Sequence, residues 1–143
     1  MQDIDQIIFY RLERAIRSYR QFAQREIRKA GHSITVDQWL TMKNILENPG
    51  IKQHDLAEKV FKDNASITRI IELLVKAGYL DRTVNAADRR RSTLKVTKDG
   101  ARIVSQVNRV VERNRQNALR NTTSTEIETT ADFLKKVVAN CQK

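Results

Sequence analysis

Three consecutive arginines, Arg89-Arg90-Arg91, follow Asp88 in a stretch that offers nothing apolar to bury. Adjacent like charges repel, so local folding gains nothing from them. A solvated charge run is the plain alternative. At a loop tip, however, such a cluster suits the minor groove of a duplex, whose negative potential attracts Arg. A second set of polar residues lies upstream, in the run from Lys62 to Gly78, KDNASITRIIELLVKAG. Wound at about 3.6 residues per turn, this run gathers Ile67, Ile70, Ile71 and Leu74 on one face. Lys62, Ala65, Arg69, Glu72 and Lys76 fall opposite, with Ser66 and Thr68 on the flanks. An ordinary surface helix has the same amphipathic pattern. A small, polar and basic face at a helix N-terminus is also what a DNA major groove admits.

The residues that carry catalysis are missing in recognisable form. No HExxH, Walker, GxGxxG or GxSxG pattern occurs, and the sequence implies neither an enzyme nor a cofactor. A metal site built on the two histidines, His32 and His54, would need carboxylate partners at positions the sequence does not single out, so none is expected. The single cysteine, Cys141, excludes an internal disulfide, fits a reducing compartment and reads as incidental. Charge is the strongest compositional signal. In 143 residues, 27 Lys and Arg against 17 Asp and Glu leave +10, which calls for a polyanionic partner, nucleic acid or an acidic membrane surface. No segment reaches the ~20 apolar residues of a membrane span. The opening MQDIDQIIFY lacks a basic stretch followed by an apolar run, so no signal peptide is expected and the chain reads as cytoplasmic.

Four glycines and one proline point to a helix-rich chain, long enough for one domain spanning 1–143. Asp3 to Ala30 reads as one helix carrying Ile8, Leu12, Ala15, Tyr19, Phe22 and Ile27, stopped by Gly31. At roughly 1.5 Å per residue it is about 40 Å long, which implies a partner helix from this chain or a second copy. Thr35 and Gln38 have capping-box spacing and open a second helix with Trp39, Met42, Ile45 and Leu46 as its apolar stripe. Asn48-Pro49-Gly50 ends it. A short helix from Gln53 to Phe61 follows, with Leu56, Val60 and Phe61 inward and Lys52 in place of a hydroxyl cap. The next helix is capped by Asp63 and ended by Gly78, and the short loop between the two makes a helix-turn-helix. Leu80, Arg82 and Val84, then Leu94 and Val96, alternate as two short strands around the arginine loop, which makes a wing. Thr97 caps a long helix to about Arg120, with Ala101, Val104, Val107, Val111 and Ala118 inward. Thr123 and Glu126 box the start of a last helix carrying Ile127, Phe133, Leu134, Val137 and Val138. The expected fold is mainly α with a small β-hairpin wing. A winged helix-turn-helix lobe, about 33–97, lies between long terminal helices, about 3–31 and 98–143.

The order of these parts resembles the MarR family of bacterial transcriptional regulators. The resemblance rests on Thr35-Val36-Asp37-Gln38-Trp39, Glu47-Asn48-Pro49-Gly50-Ile51, Leu56-Ala57 and Thr68 through Leu80. Most specific is Asp88-Arg89-Arg90 followed by Leu94-Lys95-Val96-Thr97 and Gly100. Two departures are Lys52, where a capping Ser or Thr is common, and Asn85-Ala86-Ala87, where many members have Asp-Pro-Arg. The resemblance implies a homodimer held by its terminal helices, binding a pseudo-palindromic operator in double-stranded DNA as a repressor released by a small-molecule effector. It puts Asn64, Ala65, Ser66, Thr68 and Arg69 at base edges and Gln53, Lys62 and Lys76 at phosphates. Arg89, Arg90 and Arg91 fall at the wing tip with Asp88 orienting one of them. It puts Ile8, Leu12, Ala15, Val104, Val107, Val111, Phe133 and Val137 at the dimer interface. Phe22, His32 and Trp39 are candidates for an effector crevice. A winged helix that docks protein or RNA is the alternative, and it needs no dimer.

Overall fold

The structure, a computed structural model, describes residues 2–83, 87 and 92–142. A 3-10 turn, Ile4–Gln6, precedes α1 (Ile8–Lys29), α2 (Val36–Glu47), α3 (Gln53–Lys59) and α4 (Asn64–Lys76). The antiparallel strands β1 (Leu80–Thr83) and β2 (Thr93–Val96) follow, then α5 (Lys98–Ala118) and α6 (Ser124–Cys141).

Local chemistry sets the helix ends. Thr35 and Gln38 form a reciprocal capping box at α2, and Thr123 and Glu126 form another at α6. Asp63 accepts the Ser66 N–H at 2.7 Å, and Thr97 accepts that of Gly100 at 3.0 Å. Three helices close in the same way. The N–H of His32, Lys62 and Tyr79 reaches back to Ile27, Ala57 and Leu74, and the residue before each lies at positive φ. Glycine fills that position after α1 and α4 (Gly31 at +92°, Gly78 at +82°), whereas Phe61 fills it after α3 at +60°.

The core gathers one face from every element of the lobe. Met42 and Ile45 of α2, Leu56 of α3, and Ile67, Ile71 and Leu74 of α4 pack with Leu80 and Leu94 of the hairpin. Ile27 of α1 and Val104, Val107 and Val110 of α5 close it from the other side. In the hairpin Leu80 lies opposite Val96 and Arg82 opposite Leu94. Among the described residues no helix is long and apolar enough to cross a membrane.

Several sequence expectations need correction. The first helix does not run unbroken from Asp3, because Ile7 is extended (φ −71°, ψ 123°). Arg11 and Arg14 bind Asp5 and hold the preceding turn against α1. Phe61 does not point inward: α3 ends at Lys59, Val60 fills the inner place, and the left-handed turn swings Phe61 out to 85 % exposure. Ala101 and Ala118 are exposed, since the inner stripe of α5 is Val104, Val107, Val110 and Asn114. On α6, Ile127, Phe133, Leu134 and Val138 are exposed and Val137 is half-buried, because among the described residues no element packs closely enough to bury any side chain of that helix.

Candidate nucleic-acid interface

The cap at Asp63 sets the start of α4 and leaves its first turn facing out. The Ser66 N–H and hydroxyl, then the neighbouring Lys62 charge, hold the Asp63 carboxyl below the usual carboxylate range. Asn64, Ala65, Ser66, Arg69 and Lys76 are exposed along one side, while Ile67, Ile71 and Leu74 anchor the other. Arg69 and Lys76 have no side-chain partner among the described residues, so both charges are available to a ligand.

Two of the expected contact residues also have internal partners. Thr68 Oγ1 donates to the Asn64 carbonyl at 2.8 Å and accepts from Gln53 Nε2 at 2.7 Å. Its hydroxyl therefore braces α4 against α3. Lys62 Nζ lies 3.1 Å from Asp37 Oδ2, and Arg20 binds the same carboxylate from α1. A half-buried ammonium held this way braces α1, α2 and the start of α4.

Sequence reasoning passed over one residue. Arg82, exposed on β1, donates to Gln53 Oε1 at 3.3 Å, which places a guanidinium at the base of the hairpin beside α3 and α4. The signal was its position: a charged residue on the strand face that otherwise carries Leu80. The wing residues Asp88, Arg89, Arg90 and Arg91 lie outside the described residues.

The family model for MarR matches residues 34–92, the lobe that holds this surface. Over 110 residues the chain is 30 % identical to the uncharacterized HTH-type transcriptional regulator YybA of Bacillus subtilis, covering 77 % of this chain and 73 % of that protein. The chain belongs to the MarR family. As a MarR-family protein it is a transcriptional regulator carrying a DNA-binding winged helix. Solved structures share the fold across the whole length. A cysteine-to-serine mutant of MarR from E. coli, complexed with operator DNA, superposes with a TM-score of 0.83 at 24 % identity, covering 96 % of this chain and 99 % of that one. PcaV of Streptomyces coelicolor, in complex with its natural ligand, gives 0.84 at 21 % identity, covering 97 % and 96 %. BpsR of Bordetella bronchiseptica, whose DNA binding is regulated by 6-hydroxynicotinic acid, gives 0.86 at 20 %, covering 96 % and 97 %.

Within the MarR fold the remaining expected sites separate by location. Val104 (2 % exposed) and Val107 (0 %) belong to this chain's own core and leave nothing for a partner to cover. Ile8, Ala15 and Phe133 are exposed, and Leu12, Val111 and Val137 are half-buried. Phe9, Leu12, Ile16, Tyr19, Leu119 and Leu134 line an open apolar groove of about 920 Å³ between α1, α5 and α6. Among the described residues the three effector candidates fall in different surroundings. Phe22 lines a groove with Tyr19, Glu26 and Arg120, and His32 lines another with Arg109 and Arg113. Trp39 packs on the core and donates its indole N–H to Asn108 at 2.8 Å. Among the described residues no cluster of His, Cys, Asp and Glu is placed to hold a metal ion.

Proposed function

We propose that this MarR-family regulator is a homodimeric repressor that reads a pseudo-palindromic operator in double-stranded DNA and is released by a small molecule. The observation that carries the reading is the outer side of α4. There Asn64, Ala65, Ser66 and Arg69 stand exposed, with no partner for the Arg69 guanidinium among the described residues, while the opposite side is locked in the core. A recognition helix needs that division, with base edges read from its N-terminal turns. Arg82 and Lys76 supply cations for flanking phosphates, and Arg89, Arg90 and Arg91 of the wing supply more. Residues of about 33–97 form the DNA-binding lobe in this reading, and the terminal helices the dimer. The grooves beside Phe22 and His32 are separate candidate seats for the effector. Duplexes selected from a random pool, followed by footprinting, test the reading. A half-site repeated about one helical turn away supports it, and no enrichment overturns it.

Two substitutions separate the DNA elements. Arg69→Ala is expected to cost ~1–3 kcal/mol on the selected site and to relax preference at one base pair per half-site. Equal weakening on selected and random DNA would move Arg69 to a phosphate. Replacing two of Arg89, Arg90 and Arg91 with Ala is expected to flatten the slope of log affinity against log salt by roughly one to two units per subunit. The melting temperature is expected to stay put. An unchanged slope with intact affinity would exclude the wing as a DNA element and favour a protein-docking role.

A further inference from the structure

Phe61 is out of place as a folding residue. Of the three helix ends that close with the same backbone turn among the described residues, two place glycine at the left-handed position. The third places a phenylalanine there, at φ +60° and 85 % exposed, the most exposed large apolar side chain among the described residues. A β-carbon resists that backbone, and a bulky side chain in it marks strain that folding alone does not select. Water gains nothing from the ring either. Both costs vanish with glycine, so the ring's use lies outside the folded chain.

Its place in the fold names the use. Phe61 stands two residues before Asp63, the cap of α4, and three before Asn64, separated only by the half-buried Lys62 from the exposed run Asp63 to Ser66. We propose that Phe61 is a base-reading residue of the DNA surface, packing its ring on the 5-methyl group of a thymine in the major groove. That methyl is the apolar feature a duplex presents there, and aromatic contact is one of the ways it is recognised. The side chain contributes no charge, so it discriminates between bases without adding general affinity for phosphate. The assignment rests on the DNA-binding reading above and adds a specificity residue to it.

The test uses the full-length protein and the duplex it selects. Phe61→Gly removes ring and strain together; Phe61→Ala removes the ring and keeps the β-carbon. Both variants are expected to bind the selected duplex about tenfold more weakly, with little change on random DNA. Only Phe61→Gly is expected to raise the melting temperature. Replacing the selected site's thymines by deoxyuridine, one at a time, removes only the methyl. One such position is expected to weaken the wild type and leave Phe61→Gly unaffected. Undiminished binding by both variants, equal loss on selected and random DNA, or no thymine with this pattern would overturn the assignment. A wild type that enriches no duplex would instead overturn the DNA reading beneath it.

Discussion

Replacing Leu12 and Leu134 with Asp is expected to turn a dimer into monomers and to reduce affinity for the full operator roughly 10²–10⁴-fold, the range by which linked binding modules exceed a single one. Both side chains line the apolar groove between α1, α5 and α6, and neither belongs to the buried core of the lobe. A carboxylate at each position brings a charge that an apolar partner face cannot solvate. Along the same surface Ile8, Phe9 and Ile16 are 47 %, 57 % and 51 % exposed, and Phe133 and Val138 of α6 are 41 % and 51 % exposed. An apolar surface this continuous is a liability unless something covers it. Val107, which the sequence reading assigned to this interface, is unsuitable for the test because it is fully buried and an acid there would unfold the chain. Light scattering on the eluting protein and binding to one half-site complete the measurement. Monomers that hold the full operator at wild-type strength would exclude the dimer reading.

Gly100→Ala is expected to be the most damaging single-methyl change in the molecule, costing about 1–3 kcal/mol or more. A β-carbon there would collide with the Tyr79 carbonyl oxygen and come within 2.8 Å of Val96 Cγ1. That carbonyl accepts the Thr97 N–H at 3.0 Å, while Thr97 Oγ1 donates to the Gly78 carbonyl at 2.7 Å and caps α5. Pushing Tyr79 away therefore loosens the junction that ties α4, the hairpin and α5 together. A fall in melting temperature of roughly 5–10 °C is expected. Ala101→Ser, on the exposed neighbour, is the control and is expected to stay within about 0.5 kcal/mol. A Gly100→Ala protein that melts like the wild type would show that the junction gives way without cost.

Much of this architecture is legible without coordinates because its signals are local. Thr35 with Gln38, Thr123 with Glu126, and Asp63 with the Ser66 N–H each satisfy orphan helix donors within one turn of chain. Residue type and spacing suffice to find them. The division of α4 into an apolar face and a polar face follows from periodicity in the same way. The run Arg89-Arg90-Arg91 stands out by composition alone.

What lies beyond that depends on which surfaces meet across the fold. Periodicity says that an apolar side chain seeks cover, not which chain supplies it. Val104, Val107 and Phe133 read alike in the sequence, yet the two valines are sealed by the hairpin lobe and α1, and Phe133 is left bare. Lys62 and Thr68 looked free on a helical wheel, but Asp37 and Gln53, distant in sequence, use their polar atoms. Phe61 read as core until a left-handed turn reversed its direction. Capping is decided within about four residues, whereas burial and partner choice are decided by long-range packing, and only the tertiary structure brings those atoms together.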